Sequence, residues 1–114
     1  MIKTPQSYPE LADPQLRPRY TGIASFFRAP YVETLAALDI ALIGVPFDGG
    51  VTNRTGARHG PREVRNQSSL LRKVNGVTNV DPYALARIAD IGDAWIERPF
   101  ALESALDEIA AFFR

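Results

Sequence analysis

The chain has no cysteine, which excludes disulfides, thiolate metal sites and a cysteine nucleophile. It has one histidine, His59, so no second imidazole can join it in a metal site or relay. It also lacks a charge bias, because thirteen basic residues offset thirteen acidic ones. Such a balance argues against a nucleic-acid surface and against a polybasic membrane anchor. No apolar run approaches the ~18 residues of a membrane span, and Met1–Gln6 lacks the apolar core of a secretory signal. The expectation is a soluble, cytoplasmic protein with neither nucleic-acid nor membrane partners. A hydrophobic share of 46% is that of a globular chain and argues against wholesale disorder.

Proline is concentrated early. Pro5, Pro9, Pro14 and Pro18 fix φ and remove donors, so residues 1–20 read as an irregular, extended arm. Residues 21–114 read as one α/β unit. Ile23, Phe26 and Phe27 are expected to anchor the arm, with a short helix near Val32–Leu38 to follow. Ala37–Phe47 is the clearest strand. Its apolar run from Ile40 to Val45 does not alternate, which suits a parallel strand covered on both faces. A glycine-punctuated loop leads into Pro61, which suits a first helical turn. Glu63 then favours the positive end of the helix dipole. The helix is expected over Pro61–Leu71, burying Val64, Ser68 and Leu71. Asn75-Gly76 and Asp81-Pro82 mark turns. Leu85–Ile91 reads as a second strand ending at Gly92-Asp93. Phe100–Phe113 reads as an amphipathic helix with Leu102, Ala105, Leu106, Ile109 and Phe113 on one side.

Strand–helix–strand–helix order calls for a parallel pair with a crossover. Two such strands cannot close a three-layer sandwich, because each needs neighbours and helices on both faces. The chain is therefore expected to be the opening part of a larger domain, or one partner of a complex.

Chemistry is sparse. The Gly49–Gly60 loop, with Arg54, Arg58, Arg62 and Arg65, suits an oxyanion at a helix N-terminus. It matches neither nucleotide-binding glycine pattern, and the plainer expectation is that its arginines brace the loop against acidic neighbours. His59 is expected to be a loop hydrogen-bonder. Asp48, Asp90 and Asp93 fall at the carboxyl ends of strands, where an open α/β sheet meets ligands. Carboxylates there suit Mg²⁺ or Mn²⁺, yet local turn capping is the expected role of all three. Trp95 is expected to pack beneath a loop.

Several segments in order carry a resemblance: Gly22–Arg28, Gly44–Asp48, Gly50–Gly56, Gly56–Pro61 with Val64-Arg65, and Ala89–Asp93. Together they resemble the ureohydrolases, the arginase/agmatinase family, in its agmatinase branch and most of all its guanidinopropionase and guanidinobutyrase group. The resemblance implies the amino-terminal portion of a three-layer α/β/α sandwich with a parallel sheet. It implies a homo-oligomer, a trimer or hexamer, acting on a small guanidino substrate. It also implies a binuclear Mn²⁺ centre whose hydroxide attacks the guanidino carbon and releases urea. The family's Gly-Gly-Asp-His, Asp-x-His-x-Asp and Asp-x-Asp ligand motifs do not occur here. No catalytic residue or metal ligand therefore carries over, and the 114-residue chain alone is expected to bind no Mn²⁺ and to be inactive. What carries over is a substrate rim of Asn53, Arg54 and His59. Two other readings stand beside this one: a truncated, non-catalytic interaction protein, and an unrelated anion-binding α/β module.

Overall fold

A computed structural model describes residues 15–114, so most of the expected arm lies outside the described residues. A 3-10 turn at Phe26–Arg28 precedes strand β1, Ile40–Gly44. After a 3-10 turn at Ala57–His59 come helix α1, Gly60–Ser68, helix α2, Pro82–Leu85, strand β2, Ile88–Asp93, and helix α3, Leu102–Phe112. The strands pair in parallel, with Ile40 opposite Ile88 and Leu42 opposite Asp90. An irregularity after Leu42 then brings Gly44 opposite Asp93. Tyr31 forms an isolated parallel bridge with Asp90, through Val32 N–H to Asp90 O and Asp90 N–H to Pro30 O. A parallel pair with crossover helices is an α/β arrangement, incomplete as a sheet, as the strand count required.

The element boundaries have local causes. Ala37 adopts a φ of 64°, which a strand does not tolerate, so β1 starts at Ile40 and not at the expected Ala37. The same residue rules out the expected helix over Val32–Leu38, where there is only a turn. Pro61 sits in the first turn of α1 and Glu63 beside it, as expected. α1 stops at Ser68 instead of Leu71. The hydroxyls of Ser68 and Ser69 bond back to Arg65 O at 3.2 and 3.1 Å, a competition that weakens a last turn. Asp81 caps α2 by accepting Tyr83 N–H, so Leu85 closes a helical turn and β2 begins at Ile88.

The apolar core is small: Phe26, Ala29, Ile88, Ala89, Ala94 and Ala105. β2 is buried at its start, whereas β1 is only partly covered and Ile40 is 45% exposed. The expected two-sided burial of β1 is not met, because no element among the described residues covers its second face or pairs with its outer edge. For the same reason Val64 and Leu71 are half-exposed, and only Ser68 of the expected α1 face is buried. Of the three residues expected to anchor the arm, Ile23 is 98% exposed and Phe27 is exposed as well, while Phe26 is buried in the core. Trp95 does not pack beneath a loop; it is 74% exposed. Among the described residues no helix is long and apolar enough to cross a membrane.

Candidate functional site

Two carboxylates organise the carboxyl ends of the strands. Asp48 follows β1, and its side chain is 1% exposed. It accepts Gly56 N–H at 2.7 Å and Arg58 N–H at 3.1 Å. It also takes the Arg58 guanidinium through Nε at 2.9 Å and Nη2 at 2.7 Å. The Arg58 fork, then the Gly56 amide, outweigh the effect of burial and hold the Asp48 carboxyl well below the usual carboxylate range. The result is a closed loop from Asp48 to Arg58. Gly56 makes it possible, with a φ of 144° that side-chain-bearing residues avoid.

Asp90 is the second hub, inside β2 and 2% exposed. Arg65 of α1 reaches it in fork geometry, Nε to Oδ2 at 2.8 Å and Nη2 to Oδ1 at 3.1 Å. Phe26 N–H and Gly92 N–H donate to the same carboxylate at 2.9 and 2.8 Å. Burial pushes this carboxyl up, but Arg65 and the two amides together hold it below its ordinary value. Arg65 spends its remaining arm on Asp93 Oδ1 at 2.8 Å, and its guanidinium lies 4.1 Å from the Phe26 ring centroid. One arginine thus ties α1, β2 and the Phe26 turn together. Between the hubs α1 rests on bare backbone: a Cβ on Gly44 would lie 2.8 Å from Pro61 Cβ and against the Asp93 carboxylate.

A cavity of about 380 Å³ opens at this end, lined by Phe47, Asp48, Arg58, Asp93, Trp95 and Phe100 among others. Its position outside the strand ends is where open α/β sheets receive ligands. No nucleophile–base pair lines it.

The bracing expectation holds for Arg58 and Arg65, which pair with Asp48, Asp90 and Asp93. Asp48 and Asp90 cap backbone amides as expected, and in addition each grips a guanidinium. Asp93 bonds Arg65 instead of a turn amide. Asn53, Arg54 and His59 all lie exposed on the loop, outside the lining of this cavity, and their side chains form no hydrogen bond among the described residues. The donor set does not fit a binuclear metal centre, because the three aspartates at the strand ends are engaged with arginines. Among the described residues no three His, Asp or Glu side chains gather to hold an ion. Sequence reasoning missed Asp39 and Arg87, whose two-point pairing at 3.0 Å joins the starts of the two strands. Opposite charges just outside two apolar runs were the available signal.

A parallel sheet with its crevice at the strand ends and a glycine-arginine loop beside it defines an incomplete α/β scaffold of the parallel class. Residues 38–114 match the model of the arginase family, and the chain belongs to that family. It is 51% identical over 107 residues to the guanidinopropionase of Pseudomonas aeruginosa, covering 94% of this chain and 33% of that protein. It is 43% identical over 90 residues to the guanidinobutyrase of the same organism, covering 76% of this chain and 28% of that protein. The solved proclavaminate amidino hydrolase of Streptomyces clavuligerus superposes with a TM-score of 0.75 at 35% identity, over 80% of this chain and 30% of that one. The chain thus spans about a third of the length of the curated relatives it matches, and its fold is the corresponding incomplete part of an arginase-like α/β domain.

Proposed function

We propose that this chain furnishes the amino-terminal part of a guanidino-compound hydrolase that releases urea from a small guanidino acid. The observation that carries the reading is the 51% identity to guanidinopropionase over nearly the whole chain. On this reading the strand ends, held by Asp48–Arg58 and Asp90–Arg65, form one wall of the substrate crevice. Asn53, Arg54 and His59 lie on the loop bordering it, placed to meet the substrate tail or a neighbouring subunit. The family's binuclear Mn²⁺ centre would supply the activated hydroxide. Because the aspartates at the strand ends, Asp48, Asp90 and Asp93, are committed to arginines, its ligands would come from segments outside these 114 residues. The working protein is proposed to be a cytoplasmic homo-oligomer.

A chimera tests the reading directly. The chain is fused to the part of Pseudomonas aeruginosa guanidinopropionase that follows the matched region, and urea release is measured with Mn²⁺. Guanidinopropionate, guanidinobutyrate and agmatine serve as substrates. The chimera is expected to release urea from a guanidino acid, and the 114-residue chain alone to release none. A folded chimera without activity, or urea release by the chain alone, refutes the proposal.

A further inference from the structure

A second and larger cavity, about 960 Å³, lies on the far flank of β2 between α1 and residues 17–31. Five arginines line it, namely Arg17, Arg19, Arg28, Arg62 and Arg65, against two aspartates, Asp90 and Asp93. In a chain whose charges otherwise cancel, this is a marked local excess of positive charge. Both aspartates are already engaged by Arg65, and neither forms an ion pair with Arg17, Arg19 or Arg62. Arg19 donates one N–H to Leu70 O at 3.0 Å, which fixes its stem on the end of α1 and leaves the rest of the fork available. Arg17 and Arg62 are exposed and form no ion pair among the described residues.

Guanidinium forks match the paired oxygens of phosphate and carboxylate groups, and are less strongly hydrated than ammonium ions. Several of them around one recess raise the local concentration of anions. The volume falls within the range of small-molecule sites and far exceeds what a single phosphate fills. We propose that this cleft binds a small multivalent oxyanion, a phosphorylated or polycarboxylate metabolite, through Arg17, Arg19 and Arg62. The cleft meets the crevice at the strand ends through Asp93, which lines both, but Arg17, Arg19 and Arg62 line the cleft alone, and the proposal does not depend on the hydrolase reading.

The test is calorimetric titration of the 114-residue chain with inorganic phosphate, pyrophosphate and citrate, with sodium chloride as the control. The ¹⁵N resonances of the arginine side chains are followed in parallel. Saturable binding by pyrophosphate or citrate is expected, shifting the Arg17 and Arg62 resonances and weakening as salt rises. R17Q and R62Q should each weaken it about tenfold, while R72Q, outside the cleft, leaves it unchanged. Because Arg17 and Arg62 are exposed, these variants should keep the parent circular dichroism spectrum. Preference for pyrophosphate assigns a phosphorylated ligand, and preference for citrate a polycarboxylate. Absence of saturable binding, binding that survives R17Q/R62Q, or equal loss in R72Q overturns the proposal.

Discussion

Replacing Arg65 with methionine tests whether polar ties or apolar packing hold this unit together. The Arg65 side chain is 14% exposed and that of Asp90 2%, so water cannot replace the lost guanidinium. R65M leaves a buried carboxylate with only the Phe26 and Gly92 amides as donors. Breaking a buried pair from one side typically destabilises by about 3–5 kcal/mol. A domain of this size is stable by only ~5–15 kcal/mol. With two large apolar side chains in its core, this chain belongs near the lower end. R65M should therefore remove most of its stability.

Urea denaturation followed by circular dichroism measures this. With an m-value of ~2 kcal/mol/M, the R65M midpoint should fall by about 2 M. R65K keeps the charge but loses the fork and the contact over Phe26, and should fall between parent and R65M. The double variant R65M/D90N removes the stranded charge and keeps an acceptor for one of the two amides, which donate to different oxygens. It should be more stable than additivity allows, by about 1–3 kcal/mol. If R65M unfolds within ~0.5 kcal/mol of the parent, a range typical of surface changes, Arg65 does not join the elements and the reasoning fails.

The second hub predicts local loosening. D48N weakens the bonds to Arg58 and should accelerate tryptic cleavage after Arg54 and Arg58; cleavage at the parental rate would show that the loop holds its shape without the clamp. The strand-start pair predicts an acid limb. Arg87, first through its side chain and then its amide, lowers the Asp39 pKa from 3.8 to about 2. Stability from this pair is full above pH 3.8 and is lost as the pH falls through about 2. Melting temperatures measured between pH 5 and 2 should therefore fall less steeply in D39N than in the parent, and identical slopes would contradict the assignment.

Backbone chemistry was legible in the sequence because its causes are local. Pro61, Glu63 and Asp81-Pro82 act on their own turns, and each element they mark exists. The glycine-arginine loop and the carboxylates at the strand ends were legible for the same reason. Burial was not. Ile23, Val64, Leu71 and Trp95 are apolar, but an apolar side chain is buried only where another surface meets it. No such surface exists among the described residues. Ala37 and Leu85 show a second limit: one positive φ and one aspartate cap moved the strand starts from these expected residues to Ile40 and Ile88. The larger cavity escaped sequence reasoning because its arginines come from separated segments, residues 17–28 and 62–65. Only the fold brings them to one recess.

The three Arg–Asp pairs with two-point geometry share a logic that the apolar core cannot supply. Asp39–Arg87 aligns the starts of the strands, Asp48–Arg58 closes the loop beyond β1, and Asp90–Arg65 fastens α1 to β2. Alanine contacts are non-directional and permit a strand to slide, whereas a two-point guanidinium–carboxylate bond holds in one register. The loop beside the crevice therefore takes its shape from residues inside this chain, before any further surface packs on it. Salt separates the contributions. The Asp39–Arg87 pair is half-exposed and should be screened, while the buried Asp90–Arg65 pair should not. Stability in high salt should thus remain sensitive to R65M after it has become insensitive to D39N, and the opposite order would place the fastening at the strand starts.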